Sequence, residues 1–209
     1  RTFIWNWLDY CNGLEGGNTE GAQYWQYGTE NFLPFAAALE RVLGHDDGLL
    51  SHPAIVNAMN MVRVSLCNDG CLHGFNDTIP LPVGGPLTWF CASRYGDPFA
   101  LWYGDHALRV YEERERQGKP GPYRSSAARG LLTRPDLPEC REQPPLPTLL
   151  VLEDIQYGIM RSGVNVDCTL VAGLKGSRPP YTHHNQPDTG SSCGSDWPGK
   201  TTSASPVIA

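Results

Sequence analysis

The sequence predicts an α+β protein, with helices in its first half and an antiparallel sheet in its second. Three observations lead there. Before residue 117 the apolar positions recur at helical spacing, residues 118–147 are crowded with Pro, Arg and Ser, and beyond 148 the apolar runs shorten and are broken by Gly and Asp. The implied layout is a helical domain over 1–117, a Pro-rich linker over 118–147, the first strands of a sheet domain over 148–191 and a disordered tail over 192–209.

Each element has a local reason. In "NFLPFAAALERVLG", Phe32, Phe35, Ala36, Leu39, Val42 and Leu43 follow the i, i+3, i+4, i+7 rule of a one-sided helix, and Gly44 is placed to end it. Ser51 is placed to cap a single helix through "HPAIVNAMNMVRVSLC", with Pro53 in the first turn, where a missing N–H leaves no bond unmade. "PLTWFCASRYG" and "DPFALWYGDHALRVYEERERQG" make two further helices, the second starting at Asp97-Pro98. Short connections between them imply helical hairpins. "TLLVLEDIQYGIMRSG" and "VDCTLVAGLKG" read as strands, and "SCGSDWPGKTTSASPVIA" is small, polar and aperiodic, which reads as disorder.

Composition narrows the function. With 40% hydrophobic residues and six Trp among 209, the chain can build a core. A net charge of −6 argues against nucleic acid as a partner, because phosphate affinity needs surplus Lys and Arg. No apolar run approaches the roughly 20 residues that span a bilayer, so no membrane partner is expected. "RTFIWNWLDY" lacks an initiator Met and a signal-peptide pattern, which reads as a mature or partial product. The seven cysteines are irregularly spaced and read mainly as buried thiols. Cys67 and Cys71, four apart, either share a helix face or make one bridge.

Two segments hold residue types that do chemistry. In "GGNTEGAQYWQYGTENF", Glu20, Tyr24, Trp25 and Tyr27 sit behind glycines at the mouth of a helix. Aromatic faces beside a carboxylate bind sugar rings, by stacking and by bonding hydroxyls; the plainer reading is packing at a helix start. In "PPYTHHNQPDTGS", His183, His184 and Asp188 offer a proton-transfer imidazole, part of a metal site, or a solvated turn. Adjacent histidines in an extended chain point to opposite faces, so His183 and His184 do not readily serve one site. A metal there would need a further ligand, and the sequence nominates none strongly. Glu15 and Glu20 are the nearest carboxylate pair for a glycosidase, but their spacing gives no opposed geometry.

Taken together, "EGAQYWQYGT", then "FNDT" with "WFCASRYGDP", then "YGIMRSG" with "GLKG", and finally "HNQPDTGS", resemble the heparinase II/III-like polysaccharide lyases, in motif order and over residues 15–191. The resemblance implies a partial (α/α) toroid followed by the start of an antiparallel β-sandwich, and β-elimination at a uronic acid of an acidic polysaccharide. By that resemblance Tyr24 is the general acid, with the base role open to it as well. His184 is the base or the partner on the carboxylate side. Asp188 orients its turn or, with His183, touches a metal. Asn6, in the "NW" pair, holds the uronate carboxylate, and Arg161 is a substrate or structural cation. Tyr27 takes the place of Tyr24 if the register shifts by one turn. No cofactor is required; a divalent zinc or calcium ion is left open, although the segment does not offer a full ligand set. A secreted or periplasmic setting is implied too. The chain departs from the family in the short stretch between Trp7 and Tyr24, in Gln186 standing where a second histidine completes an HxH pair, and in the residues after Ser191. It therefore reads as a truncated or internally deleted member, whose alternative role is a catalytically inactive carbohydrate-binding module.

Overall fold

The computed structural model describes residues 2–68, 70–75, 78–83, 85–119, 136, 139–176 and 191–194. Its helices precede its sheet, the order that the sequence predicts for this α+β protein. Helix α1 (Thr2–Asn6) opens into a π-helical turn (Trp7–Cys11), in which the Asn12 N–H reaches back to the Trp7 carbonyl at 3.3 Å. After a buried loop comes the long helix α2 (Ala22–Leu43), which starts well before the predicted Asn31 and so takes in Tyr24, Trp25 and Tyr27.

The buried face of α2 differs from the predicted one. Ala22, Trp25, Thr29, Phe32, Leu33 and Ala36 face inward, whereas Phe35, Val42 and Leu43 are exposed. Trp25 and the residues one and two turns on set the phase of the helix. With period 3.6 that phase carries Phe35 and Val42 to the far side.

Residues 52–67 do not form one helix. They break into α3 (Pro53–Val56) and α4 (Met59–Ser65) at Asn57-Ala58, and the cap is His52, whose Nδ1 accepts the Ala54 N–H at 3.3 Å, not Ser51. The break is tertiary in origin. The Asn57 side chain donates to the Leu14 carbonyl at 3.0 Å, and the Asn57 carbonyl lies against Gly16. A Cβ on Gly16 would stand 1.8 Å from that carbonyl oxygen, and the residue already has φ +90. Gly16→Ala is therefore expected to lower stability by more than about 2 kcal/mol, read as a shift of the urea midpoint. An unchanged midpoint would show that the loop does not seat on Asn57.

Helices α5 (Pro86–Tyr95) and α6 (Pro98–Arg116) form as predicted and pack on each other across Gly96-Asp97. Asp97 caps α6, accepting the N–H groups of Phe99 at 2.9 Å and Ala100 at 3.3 Å. Strands β1 (Leu149–Leu152), β2 (Tyr157–Arg161), β3 (Leu170–Lys175) and β4 (Ser191–Gly194) make one four-stranded antiparallel sheet in chain order. The start of the tail is thus a strand and not disordered: Val171 pairs with Cys193 and Leu170 with Gly194. An edge strand offers backbone donors and acceptors, which a polar segment can use without any apolar alternation of its own.

The core is continuous from helices to sheet. Met61, Val62 and Val64 of α4 belong to the same buried cluster as Leu152, Tyr157, Ile159 and Val171. Residues 139–147, predicted as part of a linker, pack between the two halves. Leu146 is buried and its N–H reaches the Val164 carbonyl at 2.7 Å, while the Cys140 N–H donates to Asp105 at 2.9 Å. The opposite face of the sheet is apolar and exposed, through Leu149, Val151, Met160, Leu170 and Leu174. Among the described residues no helix is long and apolar enough to cross a membrane.

Candidate functional site around the first turn of α2

The loop that leads into α2 is held by its own asparagines. The Asn18 amide donates to the Asn12 side chain at 3.0 Å, the Asn12 amide to the Trp7 carbonyl at 3.1 Å, and the Asn18 side chain accepts the Glu20 N–H at 2.8 Å. The same loop clasps the turn between β1 and β2. Glu15 N–H donates to the Asp154 carboxylate at 2.9 Å, and Asp154 N–H to the Glu15 carboxylate at 3.2 Å. Glu15 thus serves the fold, tying the loop to the sheet.

This clasp anchors the loop ahead of α2, and Trp25 sets the rotation of the helix. Trp25 is 1% exposed and lies in the core, so it has no ring face to offer a sugar; packing at the helix start is its role. Turning Trp25 inward turns its neighbours outward. Tyr24 is 41% exposed and Tyr27 67%, one helical turn apart on the same side, with Glu20 half-buried just before the helix. Beside them the Gln23 side chain accepts the Ile79 N–H at 3.1 Å, which ties the loop through Thr78 and Val83 to this end of α2. Asn6 is exposed at the end of α1.

Arg161 is also drawn inside. It is 7% exposed, and its guanidinium donates to the carbonyls of Pro147 at 3.2 Å, Leu66 at 3.0 Å and Arg63. Burial pushes its pKa down to about 10, which leaves it charged at neutral pH. Of the two roles its sequence context allows, the structural cation is the one that this bonding fits. His183, His184 and Asp188 lie outside the described residues. Among the described residues, no group of three or more His, Cys, Asp or Glu is placed to hold a metal ion.

The structure also contains a feature that the sequence did not announce. Ile4, Trp5, Phe35, Leu39, Asp47 and Leu49 line a cavity of about 170 Å³ between α1 and the second half of α2. Trp5 continues this wall edge-on to His52 at 5.5 Å, and His52 Nε2 lies 3.3 Å from the Asp9 carboxylate. The helical spacing of Phe35 and Leu39 is a visible signal, but the same spacing predicts a place in the core.

What the first turn of α2 can do is limited and definite. Two phenols one turn apart offer two ring faces for stacking and two hydroxyls for hydrogen bonds or proton transfer. Comparison with known protein families finds no family model that matches this sequence, and comparison with curated proteins finds no match.

Proposed function

We propose that this chain binds an acidic polysaccharide containing uronic acid and cleaves it by β-elimination. The reading rests on the motif resemblance, and one observation supports it most: Trp25 is locked inside, so Tyr24 stands exposed at the start of α2 with Tyr27 beside it. On this reading the helices are part of an (α/α) toroid and the sheet is the start of a β-sandwich. An antiparallel sheet with one buried apolar face and one exposed apolar face is what the first layer of a sandwich would present.

The chemistry asks for three things. The uronate carboxylate must be neutralised so that C5–H becomes acidic, a task assigned here to the Asn6 amide. His184 takes the C5 proton, and the electron pair forms the C4=C5 double bond as the C4–O bond breaks. Tyr24 donates its proton to the departing oxygen. Charge builds on the carboxylate in the transition state, so hydrogen-bond donors fixed at that point contribute most. Zinc or calcium is no part of these steps. A secreted or periplasmic setting, where such polymers are met, goes with this activity.

The test tracks the ultraviolet absorbance of the unsaturated product on a panel of uronate polymers. Tyr24→Phe is expected to slow product formation by at least about 100-fold, as loss of a general acid does, with circular dichroism checking that the variant is folded. Equal rates for Tyr24→Phe and the unchanged protein would remove Tyr24 from the chemistry.

A second reading, a carbohydrate-binding module without catalysis, is favoured by the same two rings, since stacking needs no base. It predicts polymer binding with no absorbance change, and loss of about 10-fold or more in affinity for Tyr27→Ala by calorimetry.

A further inference from the structure

Cys67 and Cys71 face each other across a tight turn. The Cys67 N–H donates to the Cys71 carbonyl at 2.8 Å, and the Gly70 N–H to the Cys67 carbonyl at 3.2 Å. One position outward, Leu66 and Leu72 form an antiparallel bridge, closed by His73 N–H to the Ser65 carbonyl at 2.7 Å. Gly70 has φ +77, the left-handed conformation that suits the last place of a tight hairpin loop. The pair is therefore a hairpin pair and does not share a helix face. Directly opposed residues in such a pairing have Cα atoms about 5.5 Å apart, inside the range of roughly 4.4–6.8 Å that a disulfide spans, and their side chains leave on one face. Both cysteines are reduced here.

We propose that Cys67 and Cys71 are a thiol–disulfide exchange pair that takes low-molecular-weight disulfides of the glutathione class as oxidant. Burial assigns the order of attack. Cys71 is half-buried and open to a small disulfide, whereas Cys67 is 3% exposed and reaches a disulfide only from within. The Cys71 thiolate attacks one sulfur of the small disulfide, the S–S bond breaks, and one thiol leaves with a proton from water. Cys67, having lost its proton to water, then attacks the Cys71 sulfur and expels the second thiol. Two protein thiols are oxidised and one small disulfide is reduced to two thiols. Of the other cysteines whose side chains are described, Cys140 donates its thiol to the Glu142 carbonyl at 3.4 Å and Cys168 to the Leu170 carbonyl at 3.6 Å, and Cys91 is buried.

The crosslink would act where the two halves of the molecule meet. Leu66, at the base of the hairpin, accepts from Arg161 of the sheet at 3.0 Å, and a Cβ on Gly70 would lie 2.2 Å from His106 Nε2 of α6. Oxidation therefore fixes the turn on which sheet and helix both rest, and a raised thermal midpoint is expected in the oxidised form.

The full chain is equilibrated in buffers of rising glutathione-disulfide to glutathione ratio, quenched with an alkylating agent, digested and read by fragment mass spectra. The expected result is that Cys67 and Cys71 escape alkylation together, their peptide lighter by two hydrogen atoms, with no retained glutathione. Cys67→Ser should then hold a stable glutathione adduct on Cys71. Cys71→Ser, which spares the buried position, should leave Cys67 unmodified. Full alkylation of both thiols in the most oxidising buffer, or a lasting glutathione adduct on the unchanged protein, would overturn the pair. A glutathione adduct on Cys67 in Cys71→Ser would overturn the order of attack.

Discussion

Arg161→Met is expected to destabilise the protein by about 3–5 kcal/mol, the range for removing a buried charged donor from its acceptors. The guanidinium serves three carbonyls at once, and two of them, Arg63 and Leu66, belong to the last turn and C-cap of α4. Those carbonyls are among the groups that a helix leaves without internal partners, and a cation there also meets the negative end of the helix dipole. The Cys67 N–H, which would bond the Arg63 carbonyl if α4 continued, is committed to Cys71. Removing the guanidinium thus strands acceptors in a buried place where a methionine offers no donor. Arg161→Lys should recover only part of the loss, because one ammonium does not reproduce the planar fork. Urea titration followed by far-ultraviolet circular dichroism reads both variants. A loss below about 1 kcal/mol for the methionine variant would mean that these bonds do not hold α4 to the sheet.

The second large effect is expected at Asp97. Its carboxylate caps α6 through Phe99 and Ala100, and also takes Arg63 Nη2 at 2.7 Å on each oxygen. The two side chains are 21% and 17% exposed, and the Arg63 guanidinium lies 4.5 Å from the Phe99 ring centre. Asp97→Ala is expected to lose about 2–4 kcal/mol, roughly 1 from the cap and the rest from leaving Arg63 without its carboxylate. Asp97→Asn separates the two, since the amide oxygen can still cap the helix but carries no charge. A double-mutant cycle with Arg63→Met measures the pair itself, and additive losses would reduce Asp97 to a cap alone. Partial burial predicts that the coupling persists in high salt.

Legibility followed range. Asp97-Pro98 and Gly96 announce the junction of α5 and α6 because capping and proline chemistry act within one turn of the chain. The strands at Leu149, Tyr157 and Leu170 are legible from short apolar runs for the same reason. Tyr24 and Tyr27 stand out in the sequence as a site and prove exposed, yet Trp25 between them is core. Residue type alone does not tell which of three neighbouring aromatics faces inward, because that depends on the phase of the helix, which its packing against the core fixes. Arg161 is legible only as a cation of undecided purpose.

By itself, the sequence determined the order of helices before sheet, the ends of α5 and α6, and the aromatic segment that opens α2. Their signals are carried by neighbours in the chain. Only the tertiary structure decided the buried face of α2, the break at Asn57, the strand at Ser191–Gly194 and the withdrawal of Arg161 into the core. Each of these depends on a partner distant in sequence, and unmet hydrogen bonds in a dry interior outweigh local propensity.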